Sequence, residues 1–214
     1  MSFDPIQSLS RVRHEFGEHG GVNMSIEASS TFTVMAAETM PEIFMGDKGP
    51  DQGGCFLYGR HFNPTVYVLG RYLAAMEGTQ AGYATSSGIS AIACSIMQLC
   101  GPGDEVVASN AIYGGTFALF KEFFPIKTGI NVKFVDIANL DEVKAAITDK
   151  TKAIFTESIS NPTMVIADLP KLATLAHDAG AKLVVDNTFS PMLLSPAQHG
   201  ADIVVHSLTK FIGG

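Results

Sequence analysis

The sequence is poor in basic residues. Of its 214 residues, 14 are Lys or Arg and 21 are Asp or Glu, which gives a formal net charge of −7. Nucleic acids and anionic membranes are bound by clustered positive charge, so an acidic chain is unsuited to either. We therefore expect no nucleic-acid partner and no membrane partner.

Long apolar runs and a secretory leader are also lacking. No window approaches the roughly 18 consecutive apolar residues of a membrane-spanning helix. The first residues have no basic segment followed by an apolar one. With 46% hydrophobic and 16% charged residues, the composition is typical of a well-packed globular protein, and we predict a cytoplasmic location.

Metal and nucleotide motifs are missing as well. The three cysteines, Cys55, Cys94 and Cys100, lack metal-ligand spacing, and the histidines form no HExxH pair. We therefore expect free thiols and no metal site. The chain has neither a Walker loop nor a GxGxxG fingerprint, which disfavours ATP and NAD as ligands.

The patterns that are present divide the chain in two. Residues 1–57 are rich in Gly, Ser and Met without core-like periodicity, and we predict an extended arm that contacts a neighbouring subunit. In residues 58–214, short apolar runs alternate with helical patterns, which indicates an α/β domain with a mostly parallel sheet and helices on both faces. The predicted strands are residues 82–85, 105–108, 132–135, 153–155, 182–185 and 203–205.

In an open α/β sheet the ligand lies outside the carboxyl ends of the strands, so the residues that follow each strand matter most. Ser87, Gly88 and Ile89 open a helix, where backbone N–H groups can bind a phosphate. An ordinary serine N-cap explains the same residues equally well. Tyr113, after the next strand, can stack on a planar ligand or simply pack against its neighbours.

Asn161, Asp186 and Lys210 follow three further predicted strands. A carboxylate directly after a buried strand needs a cation or several N–H donors, so Asp186 is either a ligand partner or a structural residue. Lys210 is either an amine nucleophile or a solvated lysine. The hydroxyl groups of Ser207 and Thr209 favour the first interpretation, because they can bind an anion beside the amine.

Pyridoxal 5′-phosphate (PLP) requires all of these groups. Its aldehyde bonds an amine, its ring nitrogen pairs with a carboxylate, its phosphate accepts from backbone donors and its ring stacks on an aromatic side chain. We therefore predict PLP as the cofactor.

Six motifs can be compared with known families: residues 58–65, 86–89, 113–116, 161–163, 186–188 and 207–210. Together they resemble the Cys/Met-metabolism, or trans-sulfuration, family of fold-type I PLP enzymes, and the resemblance covers essentially the whole chain. Within the family, residues 14–29 are most similar to plant-type methionine γ-lyases. The resemblance implies a fold-type I PLP-transferase large domain behind the arm. It also implies that the chain is the N-terminal half of such an enzyme and is inactive alone.

The resemblance implies a role for each matching residue. Lys210 holds the cofactor and moves protons between Cα and Cγ of the substrate, and Asp186 keeps the ring nitrogen protonated. Tyr113 stacks on the ring and assists departure of the γ-substituent, and Asn161 contacts the ring hydroxyl. The residues expected to bind the phosphate are Ser87, Gly88, Ile89, Ser207 and Thr209, with Tyr58 and Arg60 reaching across from a neighbouring subunit of a dimer of dimers.

The reaction implied is α,γ-elimination of methionine or a related γ-substituted amino acid to 2-oxobutyrate, ammonia and a thiol. Gly115 stands where many bacterial methionine γ-lyases have a cysteine. The alternatives γ-replacement, by a cystathionine γ-synthase or an O-acyl-homoserine sulfhydrylase, and cystathionine γ-lysis therefore stay open. From other classes, we considered a Rossmann-type dehydrogenase and a non-catalytic assembly unit.

Overall fold

The computed structural model describes residues 3–12, 23, 25–34, 36–52, 55–61 and 63–214. Most of residues 14–29, the stretch most similar to plant-type methionine γ-lyases, lies outside the described residues. The helices are α1 Pro5–Val12, α2 Met40–Met45, α3 Pro64–Glu77, α4 Gly88–Leu99, α5 Gly114–Ala118, α6 Leu140–Ala146 and α7 Leu169–Asp178. A π-helix, Leu119–Thr128, continues α5, and short 3-10 turns lie at Ala37–Thr39, Pro50–Gln52 and Pro196–His199.

Five strands form one parallel sheet: β1 Glu105–Ser109, β2 Asn131–Val135, β3 Thr151–Glu157, β4 Lys182–Asp186 and β5 Ile203–Val205. Their order across the sheet is β2-β1-β3-β4-β5. The chain therefore adds β2 on one side of β1 and β3 on the other, so the sheet has its switch point between β1 and β3. Open α/β sheets bind ligands at such a point.

The sheet is covered on both faces because its buried side chains alternate. In β3, Phe155 belongs to the apolar cluster that includes α4 and the π-helix, whereas Ile154 belongs to the cluster that includes α6 and α7. Strands buried on both faces read as continuous apolar runs, which is how the sequence predicted them. The predicted α/β class with a parallel sheet is confirmed.

Local signals also account for the helix starts. Ser87 caps α4 by accepting a hydrogen bond from the Ser90 N–H, and Asn139 caps α6 in the same way from Glu142. Asp168 caps α7 by accepting from the Lys171 N–H. Each cap pairs one of the N–H groups that a helix start leaves free.

The chain divides into two compact units. The first comprises Met1–Pro5, Met76–Gly78 and Thr85–Gly214 and contains the sheet, while the second comprises Ile6–Ala75 and Thr79–Ala84. The second unit includes most of α3 as well as most of the predicted arm, so its limits differ from the expected boundary at residues 57 and 58. That residues 1–57 contact a neighbouring subunit stays a prediction.

One predicted strand, residues 82–85, is wrong. These residues pair with no strand among the described residues. Their first residue instead packs its backbone on α3, since a Cβ added to Gly70 would lie 2.1 Å from the Gly82 carbonyl oxygen. Two glycines allow this close backbone contact, and it replaces sheet pairing.

Candidate active site

A cavity of about 640 Å³ lies in the first unit at the carboxyl ends of β1, β3, β4 and β5. Nine of the predicted site residues line it: Ser87, Gly88, Ile89, Tyr113, Asn161, Asp186, Ser207, Thr209 and Lys210. Residues that the sequence did not single out also line it, among them Thr116, Glu157 and Thr188. The cavity thus joins five segments that are far apart in the sequence.

The start of α4 forms one wall of the cavity. A Cβ added to Gly88 would lie 2.8 Å from the Ser207 Cβ, so only glycine lets the first turn of α4 approach the loop after β5 this closely. The N–H groups of a first helical turn have no partner within the helix. Gly88 and Ile89 line the same cavity as Ser207 and Thr209, whose side chains carry hydroxyl groups, so this wall has the donors that suit an anion.

The loop after β5 carries Lys210. Its fold is held by the Ser207 N–H, which donates to Thr188 Oγ1 at 2.7 Å, and by the Lys210 N–H, which donates to the Ser207 carbonyl at 3.1 Å. Lys210 is exposed, and the part of the chain that the structure describes shows no ion pair to its amine. The amine is therefore available to the cavity.

Asp186 is the last residue of β4. Its Oδ1 accepts the Thr188 N–H at 2.9 Å, and no Lys or Arg side chain of the described residues bonds its carboxylate. Burial raises the pKa of Asp186, and the Thr188 bonds and the charges of His206 and Lys210 only partly offset that rise. A carboxylate held in this way favours a positively charged ligand group.

Tyr113 is half exposed and stands at the N-terminus of α5. Its ring folds over Gly115, because a Cβ added there would lie 2.6 Å from Tyr113 Cε1. A larger residue at position 115 would displace the ring, so this glycine sets where the aromatic wall of the cavity lies.

Glu157 is the last residue of β3 and was missed by the sequence reasoning, although its place at a strand end was a usable signal. It is 6% exposed and lines the cavity. One carboxylate oxygen accepts the Tyr113 N–H at 2.6 Å and the other accepts the Asn161 N–H at 3.0 Å. Burial raises the pKa of Glu157, the two N–H bonds lower it, and the charge of Asp186 adds to the rise.

A buried polar network lies behind these loops. His206 Nε2 and Glu77 Oε1 are 2.6 Å apart, with each side chain 5% exposed. Asn187 donates to the same Glu77 oxygen at 3.0 Å, and the Ser195 hydroxyl donates to the Glu77 carbonyl. The network links the end of α3 to the residues that follow β4 and β5, next to Asp186 and Ser207.

Tyr58 and Arg60 belong to the second unit and are not among the residues lining the cavity. The Arg60 guanidinium lies 5.0 Å from the centroid of the Tyr58 ring. Arg60 is exposed and its planar fork of donors suits a phosphate. Their contact with a neighbouring subunit's phosphate stays a prediction.

The cavity fits PLP by its donor set. An anion wall at α4, an amine on Lys210 and a carboxylate on Asp186 face the same space. The Thr116 hydroxyl, which also lines the space, is buried without a hydrogen-bond partner among the described residues.

The described residues contain no group of three or more His, Cys, Asp or Glu that could hold a metal ion. In the same residues, no helix has the length and apolar character required to cross a membrane.

Known proteins match the chain closely. A methionine γ-lyase of Arabidopsis thaliana is 54% identical over 99% of this chain and 48% of its own length. An O-acetyl-L-homoserine sulfhydrylase of Leptospira meyeri is 45% identical over 74% of this chain and 36% of its own length. The chain thus spans about half the length of these relatives, or less.

A solved structure and a family match agree with these similarities. The structure of a putative O-acetylhomoserine (thiol)-lyase of Campylobacter jejuni, which contains N′-pyridoxyl-lysine-5′-monophosphate, has a TM-score of 0.89 and 32% identity, covering 99% of this chain and 51% of that one. The family described as Cys/Met metabolism PLP-dependent enzyme matches residues 7–214. The chain belongs to this family of PLP-dependent enzymes.

Proposed function

We propose that the protein catalyses α,γ-elimination of methionine or a related γ-substituted amino acid, releasing a thiol, ammonia and 2-oxobutyrate. The observation that carries this proposal is that Lys210 and Asp186 line one cavity together with Gly88 and Ile89 at the start of α4. The similarity to the Arabidopsis methionine γ-lyase, 54% over 99% of this chain, supports the choice of reaction.

When bound, PLP withdraws electrons from the substrate carbon that carries the amino group. Before the substrate binds, Lys210 would hold the cofactor through its amine. Once the amino group of the substrate has displaced it, the free amine of Lys210 would carry protons between Cα and Cγ of the substrate. Its exposure in the turn after β5 supports this role, because a proton carrier must reach both carbons.

Three residues would hold the ring of the cofactor. Asp186 would hold the ring nitrogen in its protonated form, and burial strengthens this pairing because few waters compete for the carboxylate. Tyr113 would stack on the ring from the N-terminus of α5, and Asn161 would contact the ring hydroxyl. Each of these side chains lines the cavity.

The phosphate would be bound at the start of α4. Backbone N–H groups of Gly88 and Ile89 and the hydroxyl groups of Ser207 and Thr209 are the donors, and the helix dipole adds to their attraction for an anion. The Ser87 Oγ accepts from the Ser90 N–H, and its own hydroxyl proton would donate to the phosphate.

γ-Replacement is the second candidate. The similarity to the sulfhydrylase of Leptospira meyeri, 45% over 74% of this chain, favours it. Gly115 favours it too, because the position that is a cysteine in many bacterial methionine γ-lyases carries no side chain here.

A single assay separates the two reactions. The intact protein with PLP is incubated with methionine and no thiol acceptor, and 2-oxobutyrate is measured over time. We expect steady release of the keto acid, none with the Lys210→Ala variant, and covalent fixation of PLP on Lys210 by borohydride. No 2-oxobutyrate from methionine, together with a sulfur-containing amino acid formed from an O-acyl-homoserine and an acceptor thiol, would select γ-replacement instead.

We further propose that the protein is a cytoplasmic dimer of dimers in which residues 1–57 contact a neighbouring subunit. The exposed guanidinium of Arg60 supports this assembly, because its planar fork of donors is open to a phosphate on another subunit. Light scattering of the intact protein measures the assembly, and a monomer with full PLP affinity would contradict it.

A further inference from the structure

Glu157 lies at the switch point of the sheet, where the loops after β1 and β3 meet. Its two carboxylate oxygens accept one N–H from each loop, at 2.6 Å from Tyr113 and at 3.0 Å from Asn161. The Tyr113 bond spans 44 residues of sequence. No backbone–backbone hydrogen bond joins Tyr113 to Asn161, so the Glu157 side chain is what connects the two loops at these residues.

The ionised carboxylate suits this geometry. Both of its oxygens are acceptors, and each one faces an N–H group. Burial and the neighbouring Asp186, its register partner on β4, oppose this charge. A buried charge that costs free energy is retained only where its hydrogen bonds compensate, which indicates that these two bonds hold the loops firmly.

The two residues held in this way are the proposed ring contacts of PLP. Tyr113 is the N-cap residue of α5, and its backbone N–H donates to the Glu157 carboxylate, which fixes the backbone at the start of this helix. The side chains of Tyr113 and Asn161 then project into the cavity from fixed points.

We propose that Glu157 is a positioning residue, which sets the places of the Tyr113 ring and the Asn161 amide against the cofactor. The inference rests on the proposed roles of those two residues in binding PLP. Neither close substitute can replace Glu157. Gln would turn an NH₂ group toward one of the two N–H donors, and Asp is shorter by one methylene and cannot reach both.

The test measures PLP affinity and the visible circular dichroism of bound PLP, with the intact protein. Glu157→Gln should weaken PLP affinity by about tenfold or more, because a charge-assisted hydrogen bond is lost from a buried site. The dichroism should fall, because the stacked tyrosine no longer holds one position. The control Glu105→Gln neutralises a carboxylate at the amino end of β1 and should change neither readout.

A double-mutant cycle separates positioning from general stability. If Glu157 acts through the ring of Tyr113, the effect of Glu157→Gln on PLP affinity should shrink in a Tyr113→Ala background. Fully additive effects of the two substitutions would overturn the proposal.

Hydrogen exchange keeps the test decisive if the variants do not fold. In the wild-type protein without PLP, the amide protons of Tyr113 and Asn161 should already be protected, and rapid exchange of both would overturn the proposal. A protein that binds PLP but leaves methionine unchanged would refute the proposed elimination and leave these readouts intact. A wild-type protein that binds no PLP would refute both.

Discussion

The carboxylates at the two ends of the central sheet differ in their partners. At the amino ends, Glu105 pairs with Lys133 at 2.7 Å, and Asp202 pairs with Lys182 at 2.8 Å and with His177 at 2.9 Å. At the carboxyl ends, no Lys or Arg side chain of the described residues bonds either carboxylate: Glu157 accepts two backbone N–H groups, and Asp186 is hydrogen-bonded by the backbone and side chain of Thr188.

The pKa values follow this difference. The Lys133 hydrogen bond is the main cause of the lowered pKa of Glu105. Burial is the main cause of the raised pKa values of Glu157 and Asp186. The amino ends are thus stabilised by their charges, whereas the carboxyl ends keep charges that cost stability. Such costs are typical of binding sites, where a charge is kept for a ligand.

Glu77 tests this distinction most strongly. Its carboxylate is buried near the carboxyl ends of the strands but, unlike Glu157 and Asp186, it is paired with a histidine side chain, His206. Glu77→Leu should lower the free energy of unfolding by about 3–5 kcal/mol, since it leaves His206 and an Asn187 N–H unpaired in a buried site. Thermal or urea unfolding of the intact protein measures the loss.

An exposed carboxylate provides the control for that experiment. Glu122→Leu, on the π-helix, should change the free energy of unfolding by less than about 0.5 kcal/mol. Similar losses of unfolding free energy for Glu77→Leu and Glu122→Leu would mean that the buried Glu77–His206 pair adds no more stability than an exposed carboxylate.

Asp186→Asn should act in the opposite direction. Asn can still accept the Thr188 N–H but carries no charge, so the cofactor-free protein should gain about 0.5–2 kcal/mol at neutral pH. Elimination of methionine should fall on the order of 100-fold or more, because the charge facing the ring nitrogen is lost. Unfolding without PLP and a keto-acid assay with PLP measure the two effects.

The pH dependence of this gain has a definite sign. The pKa of Asp186 is higher in the folded than in the unfolded protein, so the ionised form costs stability at neutral pH. As the pH falls below about 4, the ordinary pKa of aspartate, both states are protonated and the difference between variant and wild type should close. A gain that grew on acidification would contradict the raised pKa.

Much of the site could be predicted from sequence because parallel strands end at one edge. The apolar run Leu183–Val185 marks β4, and Asp186 after it had to lie at the ligand edge. The same logic predicted that Tyr113, Asn161 and Lys210 lie at this edge, and all three line the cavity there. Burial of side chains on both faces makes such runs easy to recognise.

Other features could not be predicted, because they depend on contacts between distant residues. Glu157 ends a strand like Asp186, but its partner N–H belongs to Tyr113, 44 residues away. Residues 82–85 have a strand-like composition, yet the contact of Gly82 with Gly70 directs them onto α3. Neither contact leaves a periodic signal in the local sequence.

Among the substitutions at paired or buried charges, Lys133→Met should have the smallest effect, and it tests the amino ends. The substitution keeps the apolar stem and removes the ion pair with Glu105 and the bond to the Ala146 carbonyl at 3.2 Å. Because the pair is partly exposed, the expected loss is about 0.2–1 kcal/mol at neutral pH, and added salt should reduce it. PLP affinity should not change, since neither residue lines the cavity.

The pH dependence of that loss is the reverse of the Asp186 case. The pKa of Glu105 is lower in the folded protein, so its contribution is present above about 4.3, the ordinary pKa of glutamate, and disappears as the pH falls through the lowered value. Wild type and Lys133→Met should therefore converge in acid. Weaker PLP binding by Lys133→Met would contradict the comparison between the two ends of the sheet, because a charge pair at the amino ends would then control the site at the carboxyl ends.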